Sequence, residues 1–421
     1  MGEECACGVL CLFSRGFPPE PRSDALRGSL RTMLRASASY SAADLRHMKR
    51  CLDLASRGAG KVSPNPMVGC VIVRDGRVIA EGYHRRFGGA HAEMAAARSI
   101  AVGSLSGCTV YVNLEPCSHH GKTPPCAVML ARMRVRRVVC SLRDPNPCVN
   151  GRGIAILRRA GVRVDVGLLA REAAELNRRY LVWVRTGRPF VTLKAAVTLD
   201  GKTATATGVS RWVTSESARA HARRMRALHD AVIIGMNTAN TDNPLLTVPG
   251  GRYGPMRVVV GSLQHVRPGL RLCSPDGPPT MIASPMISRT TLRRFSRGCG
   301  GAMVAVFRGK TVPPGRLLAL LSDLGVSSVF VEGGGETAWH FVQAGLVDEI
   351  LLYVAPKILG GSRAKTFVGG EGFRSLGCTL PLTITATQPI GRDVLIVARP
   401  VRRMDCATTA QAESTHVHRS H

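Results

Sequence analysis

The sequence predicts two consecutive α/β domains. Strand-like runs alternate with helical patterns through most of the chain, a polar Gly/Pro break at Arg185-Thr-Gly-Arg-Pro189 divides the series, and no segment repeats across it. The 421 residues suit roughly two or three domains, and 45% hydrophobic residues can give each a core. No apolar run approaches the ~18 residues of a spanning helix, and the N-terminus lacks the basic, apolar, small-residue order of a secretion signal. A soluble protein without membrane association is expected.

Residues 1–40 carry both charge signs with Gly, Pro and Ser and no sustained period, so they read as a disordered extension. Glu3, Glu4, Glu20 and Asp24 argue against an organelle-targeting peptide, and Met33 is an alternative start. Order begins at Ser41, where a capping-box pattern opens a helix carrying Leu45, Met48, Leu52 and Ala55 at helical spacing until Gly58. Strand-like Met67–Val73, a helix near His91, strand-like Cys108–Leu114, a helix after Pro125 and strand-like Val135–Leu142 follow. A helix from about Gly153, strand-like Val162–Val166 and a helix through Leu181 complete a domain over 41–187 with a largely parallel sheet. The second domain, 188–400, reads as strands at Phe190–Ala196, Ala231–Gly235, Arg257–Gly261, Met303–Phe307, Ser328–Glu332 and Glu349–Pro356, with helices over Glu216–Leu228 and Pro314–Leu324. Residues 401–421 turn polar and aperiodic, a disordered tail.

Charge and cysteine usage narrow the function. The 57 Lys+Arg against 28 Asp+Glu leave a net charge of +29, which first suggests nucleic acid. Yet only eight of the cations are Lys, the Arg residues are scattered rather than gathered in one stripe, and aromatic stacking platforms make up 5% of the chain. A drift toward Arg with a few sites for anionic small molecules explains the charge without a nucleic-acid partner. Fourteen cysteines do not form a secreted-type framework; Cys70, Cys108 and Cys140 sit inside apolar runs as small hydrophobes, which predicts a reducing, cytoplasmic setting.

The most informative segment is His91-Ala92-Glu93 at a helix start, followed by Pro116-Cys117 and, with eight residues between, Cys126 at the next helix start. One imidazole and two thiolates suit one Zn²⁺ and leave a fourth position for water. The helix N-terminus at Cys126 is expected to help its sulfur ionise. Glu93 is then the acid/base that moves the water proton to a departing amine, the chemistry of hydrolytic deamination. The alternatives are a structural zinc closed by His119 or His120, or plain core residues; Cys148 reads as an ordinary thiol.

These residues lie in longer motifs. Ser63-Pro-Asn-Pro-Met-Val-Gly-Cys-Val-Ile-Val73, His84 with Gly88-Gly89-Ala90-His91-Ala92-Glu93, Leu114-Glu-Pro-Cys-Ser-His-His-Gly-Lys-Thr-Pro-Pro-Cys126 and Asp144-Pro-Asn-Pro147 together resemble the deaminase half of the bifunctional riboflavin biosynthesis deaminase/reductases. The resemblance implies a cytidine-deaminase-like three-layer domain followed by a dihydrofolate-reductase-like domain. It implies deamination of 2,5-diamino-6-ribosylamino-4(3H)-pyrimidinone 5′-phosphate, with Asn65, His84, Lys122, Asp144 and Asn146 at positions that line the substrate pocket. Amides and a carboxylate can satisfy an amino-pyrimidinone edge, and Lys122 can meet an anion; Asn65 and Asn146, in Asn-Pro pairs, are also ordinary turn residues.

On its own the second half offers one feature, Glu332-Gly-Gly-Gly-Glu336 between a strand and a helix, where bare N–H groups can hold phosphate. Its motifs Leu193–Gly201, Ser210–Thr214, Asp230–Gly235, Asp242-Asn-Pro244, Phe330–Gly334 and Val347–Lys357 resemble the family's reductase half, which reduces the ribosyl chain to ribityl with NADPH. By position Ala196, Trp212, Thr238, Asp242, Gly334 and Gly335 match cofactor contacts, and Ser210, Arg226, Leu246 and Glu332 match substrate contacts. Arg226 is expected to grip the sugar phosphate, and Lys194 and Asp200 to hold the open-chain sugar. Pro249 and Gly261 depart from the family's usual Arg and Asp, with Arg252 as a substitute charge. A homodimer acting on small phosphorylated pyrimidines is implied. The rival readings are a nucleic-acid editing deaminase and a paralogue whose reductase half is inactive.

Overall fold

The computed structural model describes residues 11–12, 40–98, 100, 105–119, 124–248, 254–299 and 301–401. Of residues 1–40 it describes Tyr40 and Cys11–Leu12, the latter as a two-residue strand β1. Order proper starts as expected: Ser41 accepts the backbone N–H of Asp44 and donates its own to that carboxylate, closing a capping box on α1 (Ala42–Ser56). The buried face of α1 runs through Met48, Cys51, Leu54 and Ala55, rotated from the expected stripe so that Leu45 is exposed.

The first domain continues with β2 (Gly69–Arg74), β3 (Arg77–Tyr83), α2 (Ala92–Ala97), β4 (Thr109–Val112), α3 (Cys126–Arg132), β5 (Arg137–Cys140), α4 (Arg152–Arg159) and β6 (Arg163–Val166). Its sheet order is β3-β2-β4-β5-β6, and here the expectation of a largely parallel sheet is corrected: β2 runs antiparallel to both neighbours. The reason is the unanticipated β3. Asp75 and Gly76, both at positive φ, form a two-residue hairpin turn that can only return the chain antiparallel. Along β2 the side chains alternate, with Cys70 and Ile72 packing under α2, α3 and α4, and Val71 and Val73 under α1. The sheet is thereby sandwiched in three layers, and Cys70, Cys108 and Cys140 are buried as expected.

The helix expected through Leu181 is two, α5 (Ala170–Leu176) and α6 (Arg178–Thr186), parted at Asn177, whose amide accepts from Met67 N and donates to Met67 O. From α6 the chain reaches both ways. Tyr180 donates to Asp144 of the first domain, whereas Arg178 pairs with Glu349, Arg179 donates to Leu228 O and Trp183 donates to Ser322, all beyond the Gly187-Arg188-Pro189 boundary.

The second domain comprises β7 (Phe190–Thr198), β8 (Lys202–Ala204), α7 (Glu216–Arg226), β9 (Ala231–Gly235), α8 (Met236–Asp242), β10 (Met256–Val260), β11 (Thr280–Pro285), α9 (Arg289–Gly298), β12 (Ala302–Phe307), α10 (Pro314–Asp323), β13 (Ser328–Val331), α11 (Gly335–Gln343), β14 (Glu349–Ala355), β15 (Lys365–Thr366), β16 (Leu382–Ile390) and β17 (Asp393–Pro400). The main sheet, β1-β12-β11-β10-β9-β13-β7-β14-β17-β16, is parallel as far as β14 and closes with an antiparallel hairpin. One face packs on α10 and α11, the other on α7, α8 and α9. Cys273 and Cys299, Cα atoms 5.1 Å apart, are joined as a disulfide, a departure from the thiols expected throughout. Among the described residues no helix is long and apolar enough to cross a membrane.

Candidate active sites

Three loops at the ends of β3, β4 and β5 build the first site. His91 caps α2, Cys117 follows β4 and Cys126 opens α3, so strands that pair in register fix residues 35 positions apart in sequence. The His91 Nδ1 atom lies 3.4 Å from Cys117 Sγ and 3.5 Å from Cys126 Sγ, and the three ligand atoms all fall within 4.8 Å of one another. A tetrahedral zinc with about 2.3 Å bonds to sulfur and about 2.0 Å to nitrogen has N–S edges of about 3.5 Å. The trio therefore fits zinc.

The electrostatics refine the expectation for Cys126. The first N–H of α3, that of Cys126, is donated at 3.3 Å to Cys117 Sγ, not to its own sulfur. With hydrogen bonds from Cys126 and His91, the Cys117 thiol is pulled down to about 4, while its partner Cys126 and the His91 imidazole are pushed up. The trio shares protons around one thiolate, and a divalent cation would displace them. Glu93 points into this region from α2, 3% exposed, and burial together with the Cys117 charge pushes its carboxyl up to about 7.

A cavity of about 810 Å³ opens over the trio, lined by Asn65, His91, Cys117 and His119 among others. The Asn65 amide donates to His84 Nε2 at 3.2 Å, and His84 Nδ1 donates to Ala90 O at 2.9 Å, an assignment that makes His84 a neutral prop behind Asn65. Burial lowers the His84 pKa, in keeping with that role. Asp144 is 5% exposed and turned away from the cavity: both its oxygens accept from Tyr180 Oη and one also accepts from Asn146 N. The Asn146 side chain accepts from Cys148 N in an ordinary turn. Lys122 and His120 lie outside the described residues.

Glu115, which sequence reasoning passed over, is the hidden fixture. Its buried carboxylate accepts from the backbone N–H of Asp144 at 3.2 Å, Gly151 at 2.9 Å and Ile154 at 3.1 Å, tying the segment that carries Cys117 to the start of α4. Gly153 allows this approach, since a Cβ there would stand 1.9 Å from Pro116 O. The only sequence signal was an acid directly before Pro116-Cys117.

In the second domain the expected residues gather where β7, β9 and β13 end. Glu332 follows β13 and is held by Arg226, whose Nε and Nη2 meet both its oxygens while Nη1 donates to Thr247 O; Lys194 Nζ lies 3.8 Å away. Three of the five N–H groups of Arg226 are thus engaged, two of them on Glu332, so Arg226 braces Glu332 and could offer a phosphate only its two remaining N–H groups. Asp200 is likewise committed, accepting from Thr198 Oγ1, Leu359 N and Gly360 N. Leu246 is buried at φ +54, a strained left-handed conformation for a branched residue.

On the cofactor side, α11 begins at Gly335 with Gly334 as its cap and no side chain on its first N–H groups. A Cβ on Gly334 would meet nothing nearer than Thr238 Oγ1 at 3.8 Å, so the turn faces open space beside Thr238, a cradle fit for phosphate. Trp212 is 63% exposed beneath the Arg219 guanidinium at 4.2 Å, and Arg211 links its loop to Asp242 O at 3.0 Å. Ala196 sits on β7 beside Tyr353, and Ser210 in the loop before Trp212 is half-buried. Gly261, at φ +148, packs so that a Cβ would lie 2.6 Å from Met236 Cβ, which explains why no Asp stands there. Pro249 and Arg252 lie outside the described residues.

Comparison with known proteins matches this layout. Residues 41–142 match the model of the cytidine and deoxycytidylate deaminase zinc-binding region, and residues 189–396 that of the RibD C-terminal domain. The riboflavin biosynthesis protein RibD of Bacillus amyloliquefaciens is 40% identical over 84% of this chain and 95% of its own length; that of Escherichia coli is 38% identical over 83% and 97%. Among solved structures, Acinetobacter baumannii RibD superposes with a TM-score of 0.75 at 34% identity, covering 85% of this chain and 99% of the other. A Thermotoga maritima protein described as a diaminohydroxyphosphoribosylaminopyrimidine deaminase/5-amino-6-(5-phosphoribosylamino)uracil reductase gives 0.74 at 33%, covering 85% and 98%.

Proposed function

The chain belongs to the RibD family of riboflavin biosynthesis proteins, and on that premise we propose that it performs two consecutive steps of that synthesis. It deaminates 2,5-diamino-6-ribosylamino-4(3H)-pyrimidinone 5′-phosphate hydrolytically, and then reduces the ribosyl chain of the product to ribityl with NADPH. The observation that carries the first step is the convergence of His91, Cys117 and Cys126 beside a buried Glu93.

Zinc, held by those three side chains, supplies Lewis-acid activation of water at neutral pH. The protein does the rest. Glu93, with a carboxyl near neutrality, accepts the proton of the attacking water and hands it to the ring amine, which leaves as ammonia as the C–N bond breaks. Asn65, fixed through His84 and Ala90, presents its amide oxygen to the donor edge of the pyrimidine. In the reductase half NADPH supplies hydride. Gly334, Gly335 and Thr238 would hold its phosphates with bare N–H groups and a hydroxyl, and Trp212, Asp242 and Ala196 would complete its site. Lys194 and Glu332, held by Arg226, meet the sugar chain, with Ser210 and Leu246 shaping that side.

Both halves are tested on one preparation: ammonia release from the diaminopyrimidine, and loss of NADPH absorbance with the deaminated intermediate, alongside metal analysis. Ammonia release with silent NADPH would leave a deaminase alone. Family membership supports small phosphorylated pyrimidines as partners, and a homodimer in the cytoplasm is the accompanying reading, tested by sedimentation and cell fractionation.

A further inference from the structure

Resting on the deaminase reading, we propose that Ser327 of the second domain is a positioning residue for the first: through Ser63 it holds Asn65 where that amide meets the pyrimidine edge. Asn65 closes a four-residue turn, its N–H donating to Val62 O at 2.9 Å, and Ser63 is the second residue of that turn. The Ser63 hydroxyl lies 2.9 Å from the hydroxyl of Ser327, across the domain boundary and 264 positions away in sequence. The contacts that Arg178, Arg179 and Trp183 make with the second domain involve no residue that lines the zinc cavity, whereas this one lies two residues from Asn65, which does.

The direction of the hydrogen bond follows from what stands behind Ser327. Asp230 Oδ2 accepts the Ser327 hydroxyl at 2.8 Å and its N–H at 2.9 Å, together with the Ser328 hydroxyl at 3.0 Å and N–H at 2.9 Å. With its one proton given to this carboxylate, Ser327 Oγ can only accept, so Ser63 is the donor. A carboxylate oxygen that gathers four donors has no freedom to turn, and a hydroxyl that donates to it becomes a stronger acceptor for the next group in line. The rest of the segment is similarly held. Gly60, at φ +70, packs so tightly on the turn after α7 that a Cβ would stand 3.1 Å from Ala227 O, and Lys61 O accepts from Phe87 N in the cavity wall. Beyond Asn65, the Asn177 amide grips Met67 at both its N–H and its carbonyl. Asn65 is thus bracketed by one hold from its own domain and one from the other. Without the Ser327 hydroxyl, Ser63 loses its acceptor and the turn its anchor, while His91, Cys117, Cys126 and Glu93, on other segments, stay in place.

The experiment measures ammonia release from the diaminopyrimidine by the zinc-loaded wild type, S327A, S328A, N65A and S327A/N65A. S328A is the matched control, since it takes one hydroxyl donor from the same Asp230 oxygen without removing the partner of Ser63. One neutral hydrogen bond contributes ~3–10-fold. S327A should therefore raise KM ~3–10-fold with kcat nearly kept, the pattern of a lost binding contact, while S328A keeps both constants. S327A/N65A should be no worse than N65A, because the effect passes through Asn65. NADPH oxidation with the deaminated intermediate reports on folding of the second domain, as Ser327 and Glu332 flank opposite ends of β13. A wild-type KM in S327A or in N65A, an equal rise in S328A, or additive losses in S327A/N65A overturns the proposal. Should S327A also lose NADPH oxidation, S63A removes the same contact from the first domain and decides: a raised KM upholds the role and an unchanged one refutes it. Should the wild type release no ammonia, the deaminase reading itself fails. Calorimetry of the diaminopyrimidine with the zinc-loaded full chain then decides, weaker binding in S327A than in the wild type upholding the role of Ser327, and equal or no binding refuting it.

Discussion

Replacing Glu115 by Gln tests how the metal trio is positioned. The wild-type carboxylate is 4% exposed and accepts three backbone N–H groups, two on Oε2 and one on Oε1. Hydrogen bonds to a charged group contribute roughly 1.5–3 kcal/mol each, and an amide can keep one face while turning an NH₂ against the donors of the other. Allowing for relaxation, E115Q should lose about 2–4 kcal/mol of stability in the first domain. Because that carboxylate fixes the segment bearing Cys117, zinc affinity should fall ~10–100-fold, as for outer partners of metal ligands generally. Competition with a zinc-binding dye measures the affinity, urea unfolding the stability, and NADPH oxidation with the deaminated intermediate checks that the second domain is untouched. Wild-type zinc affinity together with an unshifted unfolding midpoint would refute the assignment.

Three further outcomes are expected. E93Q should lower ammonia release by ~10²–10⁴-fold, the contribution of a general acid/base, with zinc content unchanged; loss of metal would make Glu93 a ligand instead. For Asp44, burial raises the carboxyl pKa, but hydrogen bonds from Tyr111, Ser41 and Arg137 outweigh it and hold it at about 2, against 3.8 ordinarily. A depressed folded pKa gives stability that is complete above the ordinary value and lost as pH falls through the folded one, here about 2 kcal/mol between roughly pH 5 and pH 2. Urea midpoints across that window should show this loss in the wild type and a flattened profile in D44N. Finally, G334V places a side chain where nothing in the fold obstructs it, so the fold should hold while the KM for NADPH rises ~10-fold or more, the scale of an overpacked contact; an unchanged KM would move the cofactor elsewhere.

The zinc trio was legible because His91 and Cys126 sit at helix starts and both cysteines directly follow a Pro, each a local signal. So were the capping box at Ser41 and most parallel strands, whose continuous Val/Ile runs admit no other reading. Of the strands that escaped, Arg77–Tyr83 and Leu382–Ile390 carry most of their side chains to the surface and so lack an apolar period, with only Asp75-Gly76 to betray the first; Thr280–Pro285 is buried yet also escaped, because Thr280, Ser284 and Pro285 interrupt its apolar run, and Asp393–Pro400 went unread with its hairpin partner. Glu115 and the committed states of Arg226 and Asp144 could not be read at all, because each depends on partners 29 to 106 positions away. Which atoms a carboxylate or guanidinium meets is decided by packing of distant segments, and residue type alone leaves that open.

The helix Arg178–Thr186 carries a practical warning for anyone cutting this chain in two. Scission at Gly187-Arg188 looks natural, yet it would take Arg178 from Glu349, which keeps only Arg399, and the partners of Ser322 and the Leu228 carbonyl from one fragment while leaving Arg179 and Trp183 without theirs in the other. Moving the cut upstream of Arg178 merely transfers the injury, since Asp144 then forfeits the Tyr180 hydroxyl. The two halves are therefore expected to melt in a single cooperative event, and any excised catalytic module would need compensating surface substitutions to stay folded.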